Sequence, residues 1–219
     1  MKTERIRAVI AITAVLLCAS FAVAEDHAFI EGPINSGPEA TKTCLECHED
    51  VAGHIMKTSH WTWDAEQTIN GKKVKRGKIN SVNNFCVSVR SNEPRCTSCH
   101  IGFGWEDNSF DLTSQQNVDC LACHDTSGNY FKFPTSAGHP NYQEKEWPKG
   151  SGKMKPAVDL VAVAQSVGKT SRETCGACHF NGGGGDGVKH GDLDTSLLNP
   201  SHALDVHMSP EGANFVCQD

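Results

Sequence analysis

One five-residue pattern occurs four times in the 219-residue chain, and it limits what the fold can be built around. Cys44 and Cys47 precede His48, Cys96 and Cys99 precede His100, Cys120 and Cys123 precede His124, and Cys175 and Cys178 precede His179. This is C-x-x-C-H, the spacing used for covalent attachment of c-type haem. Two thiols about one helical turn apart add across the two porphyrin vinyl groups, and the adjacent histidine then lies under the iron. Structural zinc and a disulfide framework also use paired cysteines. Neither requires a histidine directly after the second cysteine of every pair. Histidine fills 11 of 219 positions, so four such histidines by chance is roughly a one-in-160,000 event.

Four haems also account for a thin aliphatic composition. Only 38% of residues are hydrophobic and 7% aromatic, with a mean hydropathy of −0.40. That is little material for a protein-only core at this length, so the porphyrins are expected to act as the core. The formal net charge of −6 argues against a nucleic-acid partner. Residues 1–24 read as a signal peptide: Lys2, Arg5 and Arg7 form a basic start, residues 8–17 an apolar run, and Ala22, Val23 and Ala24 a small-residue cleavage site. Thr13, Cys18 and Ser20 dilute the run and weigh against an uncleaved anchor. Residues 25–219 then form a multihaem domain in the periplasm, an oxidising compartment where c-type haems are attached.

The expected architecture is a multihaem cytochrome c: mainly short α-helices and long irregular loops around covalently bound haems, with little or no sheet. Thr43 with Glu46, Asp119 or Asn117, and Thr170 with Glu173 read as caps that would let each motif open a short helix. Residues 157–167 form the best longer helix, between Pro156 and Gly168. Residues 82–89 suggest a short strand. From histidine to histidine the motifs are 52, 24 and 55 residues apart, too unequal for a tandem repeat.

The second axial ligand decides whether an iron only carries electrons or also meets substrate. His60, His139, His190 and His207 are the leading distal candidates, with His54, His202 and His27 behind them, and Met56, Met154 and Met208 weaker. Asp186, Asp192 and Asp194 offer carboxylates for calcium but miss established loop spacings, which leaves calcium the weaker cofactor candidate. Cys86 belongs to no motif and is flagged as a reactive thiol. Cys217 is followed by Gln218 and Asp219, the first three positions of a fifth C-x-x-C-H, and the sequence is expected to be cut short inside that motif.

Several stretches carry a family resemblance: 56–61 with His60 and Trp61, 83–86 with Cys86, 92–102, and above all 176–194, where Cys178, His179 and Phe180 precede four consecutive glycines. Together they resemble the N-terminal half of the octahaem tetrathionate reductase family. The resemblance implies a periplasmic oxidoreductase acting on tetrathionate, with nitrite and hydroxylamine as further substrates. It implies a catalytic haem on Cys96, Cys99 and His100 with lysine as second ligand and Cys86 lining the pocket. Lys169 is the mapped lysine, with Lys153 and Lys155 as alternatives. It further implies additional haems beyond these four, a quinol-linked or cytochrome electron donor, and a small oxyanion substrate, and it is compatible with a homo-oligomer. A tetrahaem electron carrier with every iron saturated is the competing reading.

Overall fold

Helices in this chain are short because glycine, proline and capping side chains interrupt them every few residues. The computed structural model describes residues 27–80 and 88–219; the expected signal peptide, Cys86 and most of the strand expected over 82–89 lie outside these. Helix α1 (Gly37–Leu45) starts at Ser36, whose hydroxyl accepts from the Glu39 N–H, with Pro38 in its first turn. It is followed by α2 (Val51–Ile55) and α3 (Ser59–Thr62). The turn Asn70–Gly71 then links strands β1 (Ala65–Ile69) and β2 (Lys72–Arg76) into an antiparallel hairpin with Ala65 opposite Arg76. Helix α4 (Glu93–Cys96) runs into a 3-10 turn over Thr97–Cys99. Helix α5 (Leu121–His124) and a two-residue pair, β3 (Lys145–Glu146) with β4 (Met154–Lys155), follow. Helices α6 (Leu160–Gln165) and α7 (Arg172–His179) complete the order. Short helices and loops with two small two-stranded sheets make this the expected fold class.

The caps differ in detail from those expected. Thr43 sits inside α1 and donates to the Glu39 carbonyl, so the first motif ends a helix instead of opening one. The fourth motif occupies the second half of α7, whose cap is Ser171 paired with Thr174, one residue beyond the Thr170–Glu173 box. Asp119 does cap the third motif, its Oδ1 accepting from the Ala122 N–H at 3.1 Å. The helix expected over 157–167 is shorter because Asp159 caps it, accepting from Val161 and Ala162. A proline can precede a helix by several residues, but a side-chain acceptor defines its first turn.

Apolar packing is divided among small clusters. One joins Ile30, Ala40, Leu121, Val158, Leu160 and Val163, tying α1, α5 and α6 together. A second gathers Trp63, Val89, Cys96 and Trp105, and a third Ala52, Trp61 and Val118. The last two flank the second motif. Gly138 (φ +88°) closes on them so tightly that a Cβ there would lie 2.1 Å from the Gly102 carbonyl oxygen.

Candidate haem sites

The four motifs lie close together, with α5 of the third motif packed on α7 of the fourth. The Cys120 thiol donates to the Cys44 sulfur, which lowers the Cys44 pKa and raises that of Cys120. The Cys178 thiol donates to Cys99, lowering that thiol to about 6 and raising Cys178. First and third motifs are therefore neighbours, as are second and fourth. Cys175 in turn meets Cys217, so the motif-like segment at 217–219 adjoins the fourth motif. No disulfide joins the described cysteines to one another, and no three His, Cys, Asp or Glu side chains among the described residues converge as a metal cluster.

The histidines of the motifs have four different environments. His48 faces His27, ring centres 6.3 Å apart and 24° from parallel. His179 faces His60 at 6.1 Å, edge to face. A metal bound between two imidazoles needs about 2 Å to each nitrogen and roughly 1 Å more to each ring centre, hence a separation of about 6 Å. Both pairs meet it. His124 is exposed, and its Nδ1 lies 2.8 Å from the Gly168 carbonyl, which orients the ring and leaves Nε2 free. His100 is fully buried in a box of Trp61, Trp63, Trp105 and Phe110, with ring centres at 4.8–5.5 Å. Its Nε2 lies 2.7 Å from the Trp61 carbonyl, and burial pushes its pKa down to about 3.

These features fit haem. Nδ1 of His100 and Nδ1 of His27 are buried nitrogens without a hydrogen-bond partner, and leaving such an atom unmatched costs about 1–3 kcal/mol. Cysteines in C-x-x-C spacing and imidazoles opposed to two of the motif histidines together form a donor set for covalent haem, and not for a disulfide framework.

The expected distal residues are distributed unevenly. His60 reaches His179. His139 is half-buried, stacked on Phe103 at 5.7 Å and hydrogen-bonded through Nδ1 to the Tyr142 hydroxyl at 2.7 Å, beside a cavity of about 560 Å³. His190 is exposed on the glycine-rich loop. His207 is exposed against Phe215 and Asp205. His27, a weaker candidate in sequence, opposes a motif histidine. Lys169 is exposed next to Gly168, and so stands by the third motif. Lys153 and Lys155 are exposed as well. The lysine that touches the second motif is Lys132, which donates to the His100 and Gly102 carbonyls. Its flanking aromatics, Phe131 and Phe133, were the one local hint that it is buried. Asp186 and Asp194 use their oxygens on Thr195 and Ser196, holding the loop instead of offering a calcium site.

Comparisons with known proteins agree with this donor set. Residues 39–125 match the family described as cytochrome c554 and c-prime. An uncharacterised protein of Archaeoglobus fulgidus is 26% identical over 83% of this chain and 72% of its own length. The crystal structure of octahaem cytochrome c from Shewanella oneidensis superposes with a TM-score of 0.74 at 49% identity, over 89% of this chain. The match covers 40% of that longer chain.

Proposed function

We propose that this chain, a multihaem c-type cytochrome of the octahaem family, is a periplasmic reductase of small sulfur or nitrogen oxyanions, with tetrathionate, nitrite and hydroxylamine as candidate substrates. Cys44, Cys47, Cys96, Cys99, Cys120, Cys123, Cys175 and Cys178 would hold four haems, with His48, His100, His124 and His179 beneath the irons. Residues 1–24 would direct export. Haem c would supply a one-electron iron centre, and an iron whose second side is open or only weakly held can meet substrate.

One observation carries the reading: the motif histidines are unequal. His48 and His179 each have a second imidazole at about 6 Å, whereas the rings meeting His100 are Trp61, Trp63, Trp105 and Phe110, with no imidazole among the described residues. The first pair of sites suits electron carriage and the second motif suits chemistry. Around it the aromatic box excludes water. Lys78 lies 4.4 Å over the Trp63 ring and brings a positive charge to the box, which favours an anionic substrate. Cys86 and a lysine ligand, as the family resemblance implies, complete the proposed pocket.

The test is spectroscopic. Reduced holoprotein titrated with carbon monoxide and then nitrite should change the spectrum of the haem at His100, and leave those at His48 and His179 unchanged. A pure tetrahaem carrier is the second reading, favoured by the His27–His48 and His60–His179 pairs. Spectra in which no haem responds to either ligand would establish it and refute the reductase.

A further inference from the structure

At the centre of the four motifs lies a buried ion pair that neither haem attachment nor ligation requires. Lys132 Nζ is 3.1 Å from Asp119 Oδ2, with side chains 7% and 0% exposed. Its other donors go to the carbonyls of His100 and Gly102, at the exit of the second motif. Asp119 stands immediately before Cys120. Besides the lysine it accepts from the Tyr130 hydroxyl at 2.8 Å and from the Ala122 N–H at 3.1 Å. Every donor of the ammonium and both oxygens of the carboxylate are thus engaged, and the pair is locked in one orientation. Apolar side chains of similar volume would fill this space at equal or lower free-energy cost. What the charges add is their field.

That field has a direction. The positive end rests on the second motif and the negative end on the third. Lys132 Nζ lies against the His100 carbonyl, while Asp119 adjoins Cys120 and caps its helical turn through the Ala122 N–H. A fixed positive charge favours the reduced form of a nearby iron, and a negative charge the oxidised form.

We propose that Lys132 and Asp119 are positioning residues whose oriented charges set a potential step between the third-motif and second-motif haems, so that electrons run toward the haem at His100. The inference rests on the haem-attachment reading above. It assigns the pair no part in binding substrate.

The test is a spectroelectrochemical titration of the holoprotein, with haem attachment checked by peptide mass spectrometry of the Cys96–Cys99 and Cys120–Cys123 segments. Lys132→Met should lower the highest midpoint so that the reduced-to-oxidised ratio of that haem falls at least tenfold at fixed poise, about 59 mV for one electron. Asp119→Asn keeps the helix cap and should raise the lowest midpoint, narrowing the spread from the other side. Lys132→Arg keeps the charge and should retain the wild-type spread. Unchanged midpoints in both neutral variants with haem attached would overturn the proposal, as would an equal shift in Lys132→Arg. Failure of both neutral variants to attach haem would make the pair a strut and overturn it too. Wild-type peptides without haem mass would instead refute the attachment reading itself.

Discussion

Arg172 is the second buried cation, and its removal has a calculable local cost. It sits at the start of α7, 7% exposed, and holds the segment that returns past the fourth motif. Its guanidinium donates to the carbonyls of Leu198 (3.2 Å), Met208 (2.5 Å) and Phe215, and to the Asn214 side-chain oxygen (3.3 Å). Hydrogen bonds from a charged donor contribute about 1.5–3 kcal/mol each. Asn214 and Phe215 are exposed and can rehydrate, so their two bonds are left out; the bonds to Leu198 and Met208, at about 1.5 kcal/mol each, make Arg172→Met cost about 3 kcal/mol. The loss falls on local opening of residues 198–217, because α7 keeps its own Ser171–Thr174 cap. At 1.4 kcal/mol per decade, opening becomes about a hundredfold more frequent. Native-state hydrogen exchange reads this at three amides: Ser209 bonded to Asp205, Ala213 to Val206 and Phe215 to His207. Their exchange should accelerate about a hundredfold in Arg172→Met, while the Val163 amide in α6 stays unchanged. Arg172→Lys, with a single point donor, should fall between. Unchanged exchange at all three amides in Arg172→Met would refute this account.

Other consequences are as direct. In apoprotein produced without haem attachment, Cys99, lowered to about 6 by the Cys178 thiol, should reach its full iodoacetamide rate by about pH 7, whereas Cys123, pushed up by burial to about 11, should still accelerate through pH 9; tryptic mapping after a pH series reads both. Gly138→Ala should destabilise by at least about 2 kcal/mol in chemical denaturation, since its Cβ would enter the Gly102 carbonyl at a positive φ. Asp159→Ala removes the acceptor of the Val161 and Ala162 amides and should cost about 1 kcal/mol; Asp159→Asn should restore most of it.

What was legible in the chain was what local spacing and composition can encode. The C-x-x-C-H motifs mark where haem c can attach, because thioether geometry needs those five residues and nothing distant. Sparse aliphatics and frequent glycine, proline and caps announce short helices and loops. Asp119 and Asp159 act as caps within three residues of their targets, so a local reading can reach them. The fourth-motif helix starts from Ser171 instead of Thr170 because adjacent acceptors compete, whereas Thr43 lies inside the helix that Ser36 had already begun. Pairing is beyond any local signal. His27 meets His48 across 21 residues, and His60 meets His179 across 119, joined by a fold that brings the second motif against the fourth. Lys132 and Asp119 are unremarkable polar residues in sequence. They become a buried dipole only because Gly138 lets the 132–140 turn close onto Gly102 and the second motif. Residue type and spacing thus determined which groups the chain can bind. Tertiary structure decided which of them face one another, because opposition and burial depend on segments brought together from far apart in the chain.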